Sequence, residues 1–107
     1  MTIEQHNSTS IITQEKTSIS EFSTKLLVLH ERFKNVDLII HLKEATLTSM
    51  EPLISLSAKH RLLKQSFVVV SSKLKQDDFE DDFSVVPTLQ EAHDYIEMEL
   101  IQRELGF

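Results

Sequence analysis

The stretch VDLIIHL, residues Val36 to Leu42, decides the fold. Val36, Leu38, Ile39, Ile40 and Leu42 make a nearly continuous apolar run. A strand covered on both faces needs such a run, whereas a half-exposed strand alternates. A second run, FVVVSS at Phe67 to Ser72, closes the unit after an intervening segment, Lys43 to Ser66, that holds one strong helical stretch. Two strands joined through a helix are normally parallel, with a right-handed crossover. The expected class is α/β, with the first run in the middle of the sheet and the second beside it.

Around this unit the chain punctuates itself with helix starts. Ser18 and Glu21, Thr48 and Glu51, and Thr88 and Glu91 each stand three residues apart, the spacing of a capping box. The first box predicts a helix to about Lys34, burying Phe22, Leu26, Leu29 and Phe33 with Ile19 and Leu27 nearby. With Pro52 in its first turn, the second predicts a helix from about Ser49 or Met50 to Leu63, burying Leu53, Leu56, Leu62 and Leu63. The third opens a final helix to about Leu105, followed by Gly106 as the left-handed cap. Thr2 to His6 and Thr9 to Gln14 read as two short strands around an Asn7-Ser8 turn, placed at a sheet edge. Lys73 to Phe83 reads as a short turn or loop pinned by Leu74, Phe79 and Phe83, and Ser84 to Val86 as a short strand stopped by Pro87. The sum is one α/β domain, residues 1–107, with a mixed sheet of four to five strands and helices packed against it.

The last helix carries two apolar stripes. Leu89, Ala92, Ile96 and Leu100 should pack on the sheet. Met98, Ile101 and Leu105, with Phe107 after them, form a second stripe turned round the helix, and it needs its own cover. That cover is either elsewhere in the domain or on another chain, which makes these four residues the candidate self-association surface.

Composition excludes several functions. The chain has 107 residues, enough to bury roughly two thirds of its unfolded surface, and no cysteine. Disulfides, thiolate metal sites and cysteine nucleophiles are therefore out, and a reducing, cytoplasmic location is expected. No apolar run approaches the roughly 20 residues that cross a bilayer, and the polar start MTIEQHNSTS has neither the basic beginning nor the apolar run expected of a signal peptide. The net charge of -6 is uneven: +3 from Met1 to Lys75 and -9 from Gln76 onward. No basic stripe is present for nucleic acid. The acidic third keeps the protein solvated and could steer a basic protein partner.

Reactive motifs are missing. The single glycine, Gly106, rules out phosphate-cradling and dinucleotide loops. The carboxylates of Asp77 to Asp82 lack the glycine turn and the closing bidentate glutamate of a calcium loop. His6, His30, His41, His60 and His93 are isolated in sequence, and His93 and Glu97 are an ordinary i, i+4 pair. No metal, cofactor or catalytic residue is expected.

The order strand, strand, helix, strand, capped helix, strand, short helix, strand, helix resembles the STAS domain of anti-sigma-factor antagonists. In that family a strand ending in Asp-Leu precedes an Asp-Ser-Ser-Gly signature that opens a helix, and the second serine is phosphorylated by the partner kinase. Here His41-Leu42 falls on the strand end and Ser49-Met50-Glu51-Pro52 on the signature. The phosphoacceptor position would hold Glu51, which cannot form the stable phosphoester, although Thr48 and Ser49 are nearby hydroxyls. The resemblance implies a non-enzymatic module that docks a regulatory protein, an anti-sigma factor or kinase-like partner, through Thr48, Ser49, Met50, Glu51 and Leu53. The C-terminal stretch VVPTLQEAHDYIEMELIQRELGF resembles the end of short bacterial STAS-like proteins encoded beside, and sometimes labelled as, ribonuclease Z. That nuclease needs a His-x-His-x-Asp-His cluster for two zinc ions, which this sequence lacks. The alternative role is structural: a homodimer, or an accessory to ribonuclease Z, assembled through the C-terminal helix.

Overall fold

The two apolar runs pair side by side, and the sheet grows outward from them. The computed structural model describes residues 1–44 and 50–106. Its strands are β1 (Thr2–His6), β2 (Thr9–Thr13), β3 (Asp37–His41), β4 (Phe67–Val70) and β5 (Ser84–Val86). They stand in the sheet in chain order, β1-β2-β3-β4-β5. β1 is antiparallel to β2, and the other neighbours are parallel. Asn7, at φ 57°, takes the left-handed conformation at the tip of the β1–β2 hairpin, where asparagine is among the few side chains tolerated.

β1 is the edge strand on this side, exposed along its whole length. The expectation that Thr9 to Gln14 also lies at the edge is corrected: β2 is paired on both sides. Its adjacent Ile11 and Ile12 point to opposite faces and are buried in different core clusters, because successive strand side chains alternate. The cross-strand row Ile12, Ile40, Val69, Val85 lies on one face and Ile11, Ile39, Val68 on the other. Two covered faces explain the unbroken apolar runs of β3 and β4.

Helices α1 (Ile19–Leu29) and α2 (Glu51–Leu62) cover the first face, and α3 (Leu89–Glu104) covers the second. Among the described residues, no helix is long and apolar enough to cross a membrane. Two of the expected caps form. The Ser18 hydroxyl accepts from Glu21 N–H at 3.2 Å and the Thr88 hydroxyl from Glu91 N–H at 3.1 Å. For α2 the helix begins at Glu51 and the side chain of Met50 before it caps nothing; the box expected there rests on Thr48, which lies outside the described residues. Gly106 follows α3 at φ +85°, the left-handed terminator expected of it.

Helical phase, not hydrophobicity, decides which side chains of α1 and α2 face inward. In α1 the buried positions are Ile19, Phe22, Ser23 and Leu26, followed by His30 and Phe33 in a terminal 3₁₀ turn. Leu29 is half-buried and Leu27 exposed. In α2 they are Leu53, Leu56, Ser57 and His60. Leu62 and Leu63, expected in the core, are exposed because they lie off the sheet-facing side by most of a quarter turn or more.

His30 and His60 complete the α1–α2 layer as a buried pair. His60 Nε2 lies 2.8 Å from the Val36 carbonyl oxygen and its Nδ1 2.8 Å from His30 Nε2. A carbonyl only accepts, so His60 carries its proton on Nε2 and His30 donates to the bare Nδ1. Each imidazole is neutral in this arrangement. Burial lowers both pKa values, aided for His30 by Lys59 and only partly offset for His60 by the hydrogen bond to Val36. The unfolded chain therefore binds protons more readily, near the ordinary histidine value of about 6.5. The pair's stabilisation is complete above that pH and is lost as pH falls through it toward the folded-state values. Stability measured by urea unfolding should drop between pH 7 and pH 5, by up to about 1.4 kcal/mol per pH unit for each excluded proton. His60→Gln should flatten that slope, and an unchanged slope in the variant would assign the pH dependence elsewhere.

Candidate functional site

α3 has two faces of different chemistry, and both bear on function. Its inward side begins apolar, with Ala92 and Ile96 buried on β3 and β4, and becomes polar toward its C-terminal half. There Tyr95, Glu99 and Arg103, at i, i+4 and i+8, replace the apolar residues that the stripe predicts. Leu100, expected to pack on the sheet, is 42 % exposed.

These three side chains join a network at the N-terminal ends of the parallel strands. The Ser66 hydroxyl donates to Glu99 Oε1 at 2.6 Å, while Arg61 Nη2 and the Tyr95 hydroxyl donate to Oε2 at 3.0 and 3.1 Å. Ser84 Oγ donates in turn to the Tyr95 oxygen at 2.6 Å. Arg103 reaches Ser66 Oγ at 3.1 Å and both oxygens of Asp37 at 3.3 and 3.4 Å. Asp37 Oδ1 also accepts the Ser66 backbone N–H at 2.7 Å. Burial alone would raise the Glu99 pKa, but the hydrogen bonds and the Arg61 charge outweigh it and hold the carboxyl below its usual range. The same pairing raises Arg61 against the effect of its own burial.

An open pocket of about 270 Å³ lies against this network, lined by Arg61, Lys64, Gln65, Glu99, Gln102 and Arg103. Its chemistry is that of an anchor. All four oxygens of Asp37 and Glu99 accept hydrogen bonds, and a general base poised near neutral pH needs a raised carboxyl pKa, the opposite of what Glu99 has. Arg61 and Arg103 spend their charge on these carboxylates. Among the described residues, no group of three or more His, Asp or Glu side chains is placed to hold a metal ion.

The outward side of α3 exposes Met98 at 62 %, Ile101 at 51 % and Leu105 at 67 %. These are the residues expected as a second stripe, and the domain itself does not cover them; Phe107 lies outside the described residues. Because the inward network fixes the helix against β3, β4 and α2, the stripe is displayed on a rigid support.

At the start of α2 the expected docking residues separate. Glu51 is exposed, but Met50 and Leu53 are fully buried against the sheet. Their assignment as partner contacts is corrected, since inward helical phase makes them core. Thr48 and Ser49 lie outside the described residues. The approach to this region is held by Gln14, a buried side chain whose Oε1 accepts from Lys43 N–H and Glu44 N–H, both at 2.9 Å. A second hollow, about 310 Å³, is lined by Ile54, Phe79 and Phe83 together with Asp77, Asp78, Glu80 and Asp82. The loop around it is pinned as expected, with the Phe79 and Phe83 rings 5.0 Å apart. Gln76 adds a clamp of its own: its amide nitrogen donates to Phe83 O and its amide oxygen accepts from Val85 N–H, each at 2.8 Å.

Compared with known proteins, the chain matches no family model, no curated sequence and no solved structure.

Removing the carboxylate that anchors α3 should be costly. Asp37→Ala leaves the Ser66 N–H and the Arg103 guanidinium without their acceptor, a loss of about 2–3 kcal/mol, since Asp37 is buried but Arg103 reaches solvent. Chemical denaturation would read it directly, and a loss under about 0.5 kcal/mol, the range of ordinary surface changes, would show that the apolar contacts of α3 suffice alone.

Proposed function

We propose that this chain is a non-enzymatic interaction module of the anti-sigma-factor-antagonist type, which docks a regulatory protein such as an anti-sigma factor or a kinase-like partner. The observation that supports it best is the topology. A leading hairpin, β2 to β5 parallel in chain order with α1 and α2 on one face, and a last helix on the other face, is the element order in which the sequence resembles the STAS domain. Strands added one after another, with their crossover helices on the same face, also leave no reversal of strand order between helices, which is where open α/β sheets usually bind small ligands. In this reading the start of α2 is the docking face, and Glu51 contributes a fixed negative charge at the helix N-terminus, where the dipole favours it. The interaction then depends on contact and not on a phosphorylation cycle. A pull-down from native lysate should recover an anti-sigma or kinase-type protein with the wild type and lose it with Glu51→Lys. Retention of that protein by the variant would move the docking site away from α2.

A second reading has its own observation: the exposed Met98, Ile101 and Leu105 on a firmly anchored α3. In that reading the chain is an assembly element, joining to another copy or to a protein such as ribonuclease Z through its C-terminal helix. Ile101→Asp should then abolish association in sedimentation velocity while changing stability by no more than about 0.5 kcal/mol, as for an exposed site. A variant that unfolds instead would make Ile101 part of the core.

A further inference from the structure

The α3 stripe is framed by one sign of charge. At 100° per residue, the outward side that carries Met98, Ile101 and Leu105 also carries Glu91, Asp94, Glu97 and Glu104. All four are exposed. The basic residue of this half of the helix, Arg103, is turned inward onto Asp37 and Ser66. If two copies paired these stripes about a two-fold axis near Ile101, the helices would run antiparallel and Glu97 of one copy would meet Glu104 of the other, twice. Like charges brought together at an interface cost several kcal/mol. An antiparallel two-fold α3 dimer is therefore poorly matched.

The opposite face of the molecule has the complementary character. Leu27 at 57 % and Val28 at 77 % exposure on α1, and Leu62 at 82 % on α2, are the other strongly exposed apolar side chains of the helices. α1 and α2 both return from strand ends to strand starts, so they run in the same direction, and the His30–His60 contact sets them level. Val28 lies two residues before that contact and Leu62 two after it, about 6 Å apart along the axes at 1.5 Å per residue. Toward their C-terminal ends these faces also carry Lys25, Lys59 and, in the turn after α1, Arg32, all exposed; Glu31 is paired to Lys34 at 3.0 Å, and the opposing carboxylates, Glu21 and Glu51, sit in the first turns, away from Val28 and Leu62.

We infer that the α3 stripe of one copy docks on the α1–α2 face of the next, so that the chain associates head-to-tail with itself. The inference rests on the assembly reading above and specifies the occupant of the stripe as a second copy of this chain. Each contact pairs an apolar strip with an apolar strip, and carboxylates with lysine and arginine. Because the two surfaces lie on opposite faces of one sheet, the contact does not close between two copies. A heterologous contact between opposite faces adds copies beyond two, where a two-fold contact would stop at a dimer. Space permits it: a standard interface takes about 800 Å² from each partner, about an eighth of the 6605 Å² of accessible surface, so two fit without overlap.

Sedimentation equilibrium on the full chain tests this with two capped variants, Ile101→Asp to spoil the α3 face and Leu62→Asp to spoil the α1–α2 face. Wild type should grow in mass with concentration past the dimer, and the growth should weaken in 1 M salt, where screening acts within about 3 Å and only the apolar part of the contact remains. Each variant alone should be monomeric. Mixed, they should form a 1:1 dimer and nothing larger, because one good face of each kind remains. If Leu62→Asp alone still dimerises and mixing adds nothing, the contact is two-fold through α3: head-to-tail docking is overturned while the assembly reading stands. Wild type that stays monomeric at every concentration overturns the inference and removes self-assembly as a role.

Discussion

The carboxylate of Asp37 is the point on which the rest of the molecule depends. It sits at the first residue of the central strand, binds the backbone N–H of Ser66 just before β4, and receives Arg103 from α3. One side chain thus fixes the starts of two parallel strands and docks the helix that covers that face. A buried carboxylate is expensive unless its hydrogen bonds are supplied, and every partner it needs comes from an element it organises. The network extends the same logic through Glu99 to Arg61 on α2, so that elements on opposite faces of the sheet are tied around its lower end. These polar groups are engaged in holding α3, and the surface chemistry left to the chain is that of the outward faces.

The architecture was legible where side-chain pattern and backbone requirement coincide. Runs such as Leu38 to Ile40 and Phe67 to Val70 admit few readings other than doubly covered strands, and serine, threonine and glycine at helix ends announce Ser18, Thr88 and Gly106 by the hydrogen bonds or φ values they alone supply cheaply. Pattern failed where a polar residue took an apolar position. His30 lies four residues after Leu26, and His60 four after Leu56; helical phase placed both inward, but as lone histidines they carried no sign of each other across 30 residues. Weighting by hydrophobicity chose Leu62 and Leu63 instead.

The same substitution of polar for apolar hides the anchor of α3. Tyr95, Glu99 and Arg103 recur at the spacing of a buried face, and that periodicity was available in the sequence; their partners Asp37, Ser66 and Arg61 were not, because long-range polar pairs leave no local trace. Conversely, the Met98, Ile101 and Leu105 stripe was legible because the helix had already filled its sheet-facing side. The start of α2 shows the limit of transfer by resemblance. Met50 and Leu53 align with a docking motif, yet the phase of this helix turns them into the core and leaves Glu51 outside.

A sheet whose strands stand in chain order can be laid down progressively, each new strand meeting an edge formed by the one before it. Loop-closure costs stay modest at every such step. The helix that covers the second face follows all five strands, and its anchor closes a separation of 66 residues between Asp37 and Arg103. In refolding, therefore, the strands can pair with Ile11, Ile39, Val68 and Val70 still uncovered. Those side chains wait for α3, and a released fragment ending near Pro87 would display an apolar sheet face to any chaperone within reach.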